Sequence, residues 1–360
     1  MDGPAVRSYG AVAMSDPAAS LPLLEEVASG IFRLAVPVPF SGLKVVNCHL
    51  LRDPRGPGWT AVDAGLNTPR AREIWEEGIK ELGWSFSDLR QIILTHSHPD
   101  HFGLAGWLQA RAGGSPTVWI SEREWEIARI VWMERSPRRD AELAAHARRC
   151  GVAPEIIAKL STTQGVDQEN ATNTGTQPFP QRVDFLTHGD TIEMGGRSWQ
   201  AVHTPGHSDG HLAFYDEACH LMLAGDQVLP RITPNIGLWP GVEPDPLGRY
   251  LLSLPVLKKL SVELALPGHG PVIGNWVGRI EEIERHHAER LDHMSGIVQK
   301  RGPVTVWQVA ERSFDFFSMS PGEWPFALVE TLSHLDYLVG QGLLERDDDD
   351  KAGAWRYRMV

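Results

Sequence analysis

Three imidazoles and a carboxylate fall within six residues of the run Thr95-His96-Ser97-His98-Pro99-Asp100-His101. Imidazole nitrogen and carboxylate oxygen are the donors that zinc accepts, and iron and manganese take the same set. His96 and His98 are spaced to grip one ion, while Asp100 and His101 can turn towards a second. The chain holds 15 histidines, so a lone one would be read as structural. Four ligand-type residues at this spacing call for another reading. Further on, His203-Thr204-Pro205-Gly206-His207-Ser208, Leu223-Ala224-Gly225-Asp226 and Leu266-Pro267-Gly268-His269-Gly270 repeat the theme. Each sets a His or Asp beside a glycine, where backbone can approach closely.

These residues need rigid flanks. The apolar run Ile92-Ile93-Leu94 reads as a buried strand and Leu104 to Ala112 as a helix, so the histidine cluster lies on a strand-to-helix loop. The three later stretches follow strand-like segments at 198–202, 221–223 and 263–266. Earlier, strands are predicted over 31–38, 44–52 and 59–64, with the turn Asp53-Pro54-Arg55-Gly56-Pro57-Gly58 between the last two. A helix over 70–82 follows, and such alternation predicts an α/β layered fold. More than a hundred residues separate His101 from His207. Within them 121–159 reads as largely helical, since Trp125, Ile127, Ala128, Val131 and Trp132 recur at helical spacing; 161–180 reads as an exposed polar loop. Helices are also predicted over 246–260 and 276–300, the latter carrying Trp276, Ile280, Ile283, His287, Leu291 and Met294 on one face. The adjacent His286 and His287 point apart on that helix and make no metal site by themselves. Two helices, 304–312 and 325–340, and a hairpin pairing 343–346 with 355–358 complete the chain. Asp347-Asp348-Asp349-Asp350-Lys351 is its solvated turn.

Composition narrows the function. The 360 residues include 34 basic and 46 acidic side chains, a net charge of −12 that disfavours non-specific nucleic-acid binding. Residues 302–360 hold 5 basic and 10 acidic side chains, the wrong sign for a phosphate-binding surface. Cys48, Cys150 and Cys219 cannot build a disulfide framework, which suggests a reducing cytoplasm. No apolar stretch is long enough for a transmembrane helix, and residues 1–20 read as a loose tail without the apolar block of a signal peptide. Without a secretion signal, the glycosylation pattern Asn170-Ala171-Thr172 carries no weight.

The HxHxDH loop, the TPGH turn, the GD carboxylate and the PGHG turn, in that order between about Gly30 and Gly274, resemble the metallo-β-lactamase superfamily. The resemblance implies an α/β fold, an αββα sandwich, with a dinuclear centre. His96, His98 and His207 would hold one ion, Asp100, His101 and His269 a second, and Asp226 would bridge them. It also implies that Asp63, in Val62-Asp63-Ala64-Gly65, orients a metal-binding histidine rather than ligating. His203 and His211, flanking TPGH, are read as supporting or core residues. The implied domains are a tail at 1–20, a catalytic domain at 21–275 with a lid insertion at about 121–182, and a linking helix with a winged-helix-like domain at 276–360. Given its charge, that last part is expected to pack or dimerise rather than bind nucleic acid, leaving a homodimer open.

Two divalent ions, Zn2+ first with Fe or Mn as alternatives, would share a water whose pKa falls towards roughly 7. The resulting hydroxide would attack a carbonyl, with Asp100 orienting it or moving a proton and Asp226 bridging. The expected substrate is a small carboxylic thioester, ester or lactone, as for glyoxalase II-like hydrolases. Arg231 could hold an anionic substrate group and Trp239 could line the wall. A metal-dependent ribonuclease or phosphodiesterase is the alternative. β-Lactam hydrolysis would be a weak side reaction, because the best-known dinuclear β-lactamases carry Cys where this chain has Asp226. A redox role of the flavodiiron type is a third reading, against which stands the lack of a flavin-binding pattern after the hydrolase core.

Overall fold

The computed structural model describes residues 22–39, 43–133, 137–158, 178–316, 318–347 and 353–360. The 1–20 tail, most of the 161–180 loop with Asn170-Ala171-Thr172, and the 348–351 acidic turn lie outside the described residues. The first sheet carries its strands in chain order: β1 (Leu24–Ala28), β2 (Ile31–Pro37), β3 (Val45–Arg52), β4 (Trp59–Val62), β5 (Leu89–Ile93), β6 (Thr117–Ile120) and β7 (Val183–Phe185). From β1 to β4 neighbours run antiparallel; from β4 to β7 they run parallel. Parallel neighbours need long crossovers. Helix α1 (Pro69–Glu81) connects β4 to β5, and α2 (Pro99–Phe102) and α3 (Ala105–Arg111) connect β5 to β6. Helices α4 (Glu122–Ala128) and α5 (Pro137–Arg149) lie between β6 and β7. The largely helical character expected over 121–159 includes a π-helical turn at Arg129–Met133 between α4 and α5.

The second sheet has the order β12-β11-β10-β9-β8, built from β8 (Thr191–Met194), β9 (Arg197–His203), β10 (Leu212–Asp216), β11 (Leu221–Gly225) and β12 (Leu264–Pro267). Helix α6 (Pro246–Lys258) joins β11 to its parallel neighbour β12. Side chains alternate between the two faces of a strand. Trp199, Ala201, Leu212, Phe214, Leu221 and Leu223 therefore turn inward onto Ile31, Leu51, Val62 and Ile93 of the first sheet. The opposite face of the second sheet sends Val202, Ala213, Tyr215, Met222 and Ala224 onto α6 and onto α7 (Trp276–Arg301). The outer face of the first sheet packs Leu34, Val46, Cys48 and Ile92 against Ile74, Trp75 and Ile79 of α1 and Leu108 of α3. Helices thus cover both outer faces of a two-sheet sandwich, the layering expected of an α/β chain.

Beyond α7 come β13 (Val304–Thr305), α8 (Val306–Ser313), α9 (Trp324–Gly340), β14 (Leu344–Asp347) and β15 (Arg356–Met359), forming a small sheet of order β13-β15-β14. Val309, Leu328, Leu332, Leu335 and Tyr357 share one core with Met294 and Val298 of α7 and with Cys150 and Val152, just past α5. Backbone bonds reinforce this union: Trp307 N donates to the Cys150 carbonyl at 2.9 Å and Trp355 N to the Arg149 carbonyl at 2.7 Å. The end of α5 is therefore anchored on the C-terminal elements. No helix among the described residues is long and apolar enough to cross a membrane.

Candidate metal centre

Loops at the ends of β5, β9, β11 and β12 bring the expected residues to one point between the two sheets. His96, His98 and His207 form one group and Asp100, His101 and His269 another; a third group shares His96 and His101 with Asp226. Within each group the potential ligand atoms lie within 4.8 Å of one another. Asp226 sits between the histidines, its oxygens 3.4 Å from His101 Nε2, 3.6 Å from His207 Nε2 and 3.3 Å from His269 Nε2. Close packing here depends on glycine. A Cβ at Gly268 would overlap Asp226 Oδ1 and come 2.7 Å from His101 Cε1.

The rings are held by their outer nitrogens. His101 Nδ1 donates to Asp63 Oδ2 at 2.8 Å, His207 Nδ1 to the Asn235 carbonyl at 3.0 Å, and His269 Nδ1 to the Val45 carbonyl at 2.7 Å. His96 Nδ1 meets Thr95 Oγ1 at 2.9 Å, whereas His98 presents Nδ1 itself to His96 Nε2 at 3.0 Å. A ring tied at Nδ1 points the Nε2 lone pair inward, the arrangement seen around bound metals. The donor set passes a direct test of fit. His101 Nε2, His207 Nε2, His269 Nε2 and Asp226 Oδ1 are buried and have no hydrogen-bond partner. Polar atoms orphaned in one place are costly unless a ligand satisfies them.

The two sides of the cluster differ electrically. Burial, aided by His101 and His98, holds the His96 imidazole well below its ordinary range, and burial with His98 lowers His207 to about 4. His98 is lowered as well, chiefly by burial. These rings are neutral at physiological pH, the form that ligates. Burial opposes the proton on His269 too, yet Asp226 and Asp100 push it up to about 10. His101 is raised well above its usual range by Asp226, Asp63 and Asp100 against the same burial penalty. Burial would raise Asp100, but His101 and His269 bring it down to about 2; Asp226 is likewise held well below the carboxylate range. The Asp100–Asp226 side favours positive charge, which is what a cation site requires.

Several supports were not anticipated. Glu124 of α4 is fully buried and accepts four hydrogen bonds. Its Oε2 takes Ser97 N at 2.8 Å and Ser97 Oγ at 2.6 Å; its Oε1 takes Gly210 N at 2.7 Å and Ser208 Oγ. One carboxylate thus ties the loop holding His96 and His98 to the turn holding His207. The neighbouring Arg123 grips Asp209 of the same turn at 2.8 Å. His211 Nε2 accepts from Asp226 N at 3.2 Å, so its proton resides on Nδ1, 2.7 Å from Thr204 Oγ1. His211 therefore positions the Asp226 backbone. Asn47 Nδ2 donates to the Pro267 and Gly270 carbonyls at 2.9 and 2.8 Å, fixing the turn around His269.

The other predicted residues fall as follows. Asp63 has φ of 60°, a strained value for a non-glycine residue. The structure holds it there because its carboxylate also receives Thr95 N at 2.9 Å. Trp125 packs on the Phe102 ring with centroids 6.2 Å apart, while Trp132 Nε1 donates to the Ser97 carbonyl at 2.9 Å. His203 lies outside the cluster, its Nε2 2.9 Å from the Asp209 carbonyl oxygen. Arg231 is exposed on the loop leaving Asp226, and Trp239 of that loop packs edge-on against Phe326 of α9 with centroids 5.5 Å apart.

Residues 41–269 match the family model of the metallo-beta-lactamase superfamily. The chain belongs to that superfamily. A probable metallo-hydrolase of Bacillus subtilis, YqjP, is 25% identical over 322 residues, spanning 86% of this chain and 92% of that protein. The crystal structure of metallo-beta-lactamase family protein TTHA1429 from Thermus thermophilus is similar with a TM-score of 0.78 and 31% identity, covering 93% of this chain and 100% of that one. A beta-lactamase domain protein from Burkholderia ambifaria reaches a TM-score of 0.80 at 30% identity, over 96% of this chain and 97% of the other. The buried His/Asp clusters are consistent with the metal site typical of that superfamily.

Proposed function

We propose that the chain hydrolyses a small carboxylic thioester, ester or lactone at a centre of two divalent ions, Zn2+ in the first instance. His96, His98 and His207 would hold one ion, Asp100, His101 and His269 the other, with Asp226 between them. The observation that carries this reading is the carboxylate of Asp226, set among histidines of both groups with a buried, unpartnered oxygen. Bound ions would supply an acidified water and a Lewis acid for the substrate carbonyl. The protein's own part is orientation and proton handling. Asp63, Asn235 and Val45 fix three rings through Nδ1, so the inward nitrogens need no reorganisation. Asp100 is the more accessible of the two carboxylates, 8% exposed against 5% for Asp226, and its Oδ2 is 3.3 Å from His269 Nε2. We assign Asp100 Oδ2 the task of orienting the attacking water and accepting its proton.

Substrate contacts fall to the loop after Asp226, with Trp239 as an apolar wall and Arg231 for an anionic group. We read 21–275 as the catalytic domain and 276–360 as an appended domain with winged-helix-like element order, whose acidic balance suits packing or self-association better than nucleic acid. The test is hydrolysis by metal-reconstituted protein of S-lactoylglutathione, acyl-CoA thioesters, an acyl-homoserine lactone, a β-lactam and single-stranded RNA, each with a chelator control. Chelator-sensitive turnover of a thioester, ester or lactone at kcat/KM of about 10⁴ M⁻¹s⁻¹ or better is expected. Turnover of RNA alone would refute the carboxylic reading in favour of a phosphodiesterase.

A further inference from the structure

His207 hangs from the loop that follows Asp226, through the Asn235 carbonyl that accepts its Nδ1 proton at 3.0 Å. Asn235 is fixed in turn from the C-terminal helices. Its Nδ2 donates to Glu330 Oε2 at 2.8 Å and to the Phe326 carbonyl at 3.2 Å, both on α9. The other oxygen of Glu330 faces Arg290 Nε of α7 at 3.1 Å, and both side chains are mostly buried, 13% and 14% exposed. The Arg290 guanidinium also stacks over Phe314, 4.1 Å from the ring centroid. Neighbouring contacts keep the loop on α9: Leu238 N donates to the Val329 carbonyl at 3.1 Å, and a Cβ at Gly237 would come 2.6 Å from Val329 Cγ2.

Burying a carboxylate and a guanidinium together costs desolvation that apolar packing would avoid. Helix α9 is otherwise rich in Leu, Val and Phe, so adhesion between the helices and the loop has cheaper solutions. Glu330 supplies direction instead. An acceptor ion-paired with Arg290 fixes the Asn235 side chain, and with it the peptide whose carbonyl orients His207. Groups that orient a ligating histidine through its outer nitrogen are worth about tenfold to a hundredfold in metal affinity.

We propose that Glu330 is a positioning residue of the metal centre, acting on His207 through Asn235, and that α7 and α9 belong functionally to the site. This rests on the reading of His207 as a ligand. The test titrates the full-length, metal-stripped protein with Co2+, following chelator competition and the visible absorption of the bound ion. Glu330→Ala is expected to weaken one Co2+ by roughly tenfold to a hundredfold and to shift its absorption band. Glu330→Gln keeps an oxygen for Asn235 Nδ2 but turns its NH2 towards Arg290, and is expected to recover affinity and spectrum in part, to a level between Glu330→Ala and the unsubstituted protein. Asn235→Ala, which removes the link without substituting a helix residue, is expected to reproduce the Glu330→Ala loss. A folded Glu330→Ala protein with unchanged affinity and spectrum would overturn the proposal. If that variant does not fold, unchanged Co2+ binding by Asn235→Ala overturns it equally. Failure of the unsubstituted protein to bind Co2+ would instead overturn the ligand reading on which it rests.

Discussion

Replacing Glu124 by Gln changes no shape and yet cannot be accommodated. Each oxygen of the carboxylate accepts one backbone N–H, from Ser97 on one side and Gly210 on the other, and one serine hydroxyl. The hydroxyls can rotate to accept from an amide NH2, but the backbone donors cannot. Whichever way the amide is flipped, its NH2 faces one backbone N–H at a site with no solvent access. An unmet buried donor costs about 1–3 kcal/mol, and Glu124→Ala, which strands both, about 2–6 kcal/mol. Against a typical total of about 5–15 kcal/mol, the alanine variant approaches the limit of folding, so the glutamine variant is the informative one. Urea denaturation of the metal-free protein should show Glu124→Gln less stable by about 1–3 kcal/mol at an unchanged slope. The same variant should bind Co2+ about tenfold or more weakly, because the loop of His96 and His98 and the turn of His207 lose their common brace. Stability within about 0.5 kcal/mol of the unsubstituted protein together with unchanged Co2+ affinity would refute the bracing role.

Removing a donor from the cluster should act on metal before fold. Asp226→Ala and His98→Ala are expected to lose at least one ion per chain by elemental analysis and to lower turnover at least about a hundredfold, with far-ultraviolet circular dichroism unchanged; full activity in either would refute the ligand assignment. A separate prediction concerns acid stability. His334 is fully buried, donates Nδ1 to the Glu330 carbonyl at 2.7 Å, and is lowered to about 3 by burial and then by Arg290. Its folded value lies below the unfolded one, so its contribution is complete above about pH 6.5 and is lost progressively as pH falls towards 3. The penalty of His334→Gln, measured by denaturant unfolding, should therefore shrink by about 2 kcal/mol between pH 8 and pH 5. A penalty that grows on acidification would show the sign to be wrong.

The ligand-type residues were legible because each carries its chemistry within a few positions of a strand end. An apolar run followed by His, Asp and Gly is a local pattern, and the sandwich only has to bring such ends together. What braces them is not local. Glu124 meets residues 27 and 84 to 86 positions away, and nothing in Glu122-Arg123-Glu124-Trp125 sets it apart from a solvated helix start. The sequence even suggests a different role for it. Ser121 and Glu124 have the spacing of a capping box, in which the glutamate side chain would return to the Ser121 backbone. Only half of that box forms: Ser121 Oγ accepts from Glu124 N at 3.2 Å, while the carboxylate turns the other way into the site. Two serines and a glycine presented by distant loops offer four donors against the single Ser121 N–H, and those buried donors have no water to fall back on. Glu330 escaped notice for a related reason. Isolated acidic residues in an apolar helix suggest a solvent-facing stripe, and only the fold shows that Glu330 faces Asn235 and Arg290. In this chain the sequence names the residues that the fold gathers into one cluster, whereas their rigidity is assigned by tertiary contacts that no spacing rule reports.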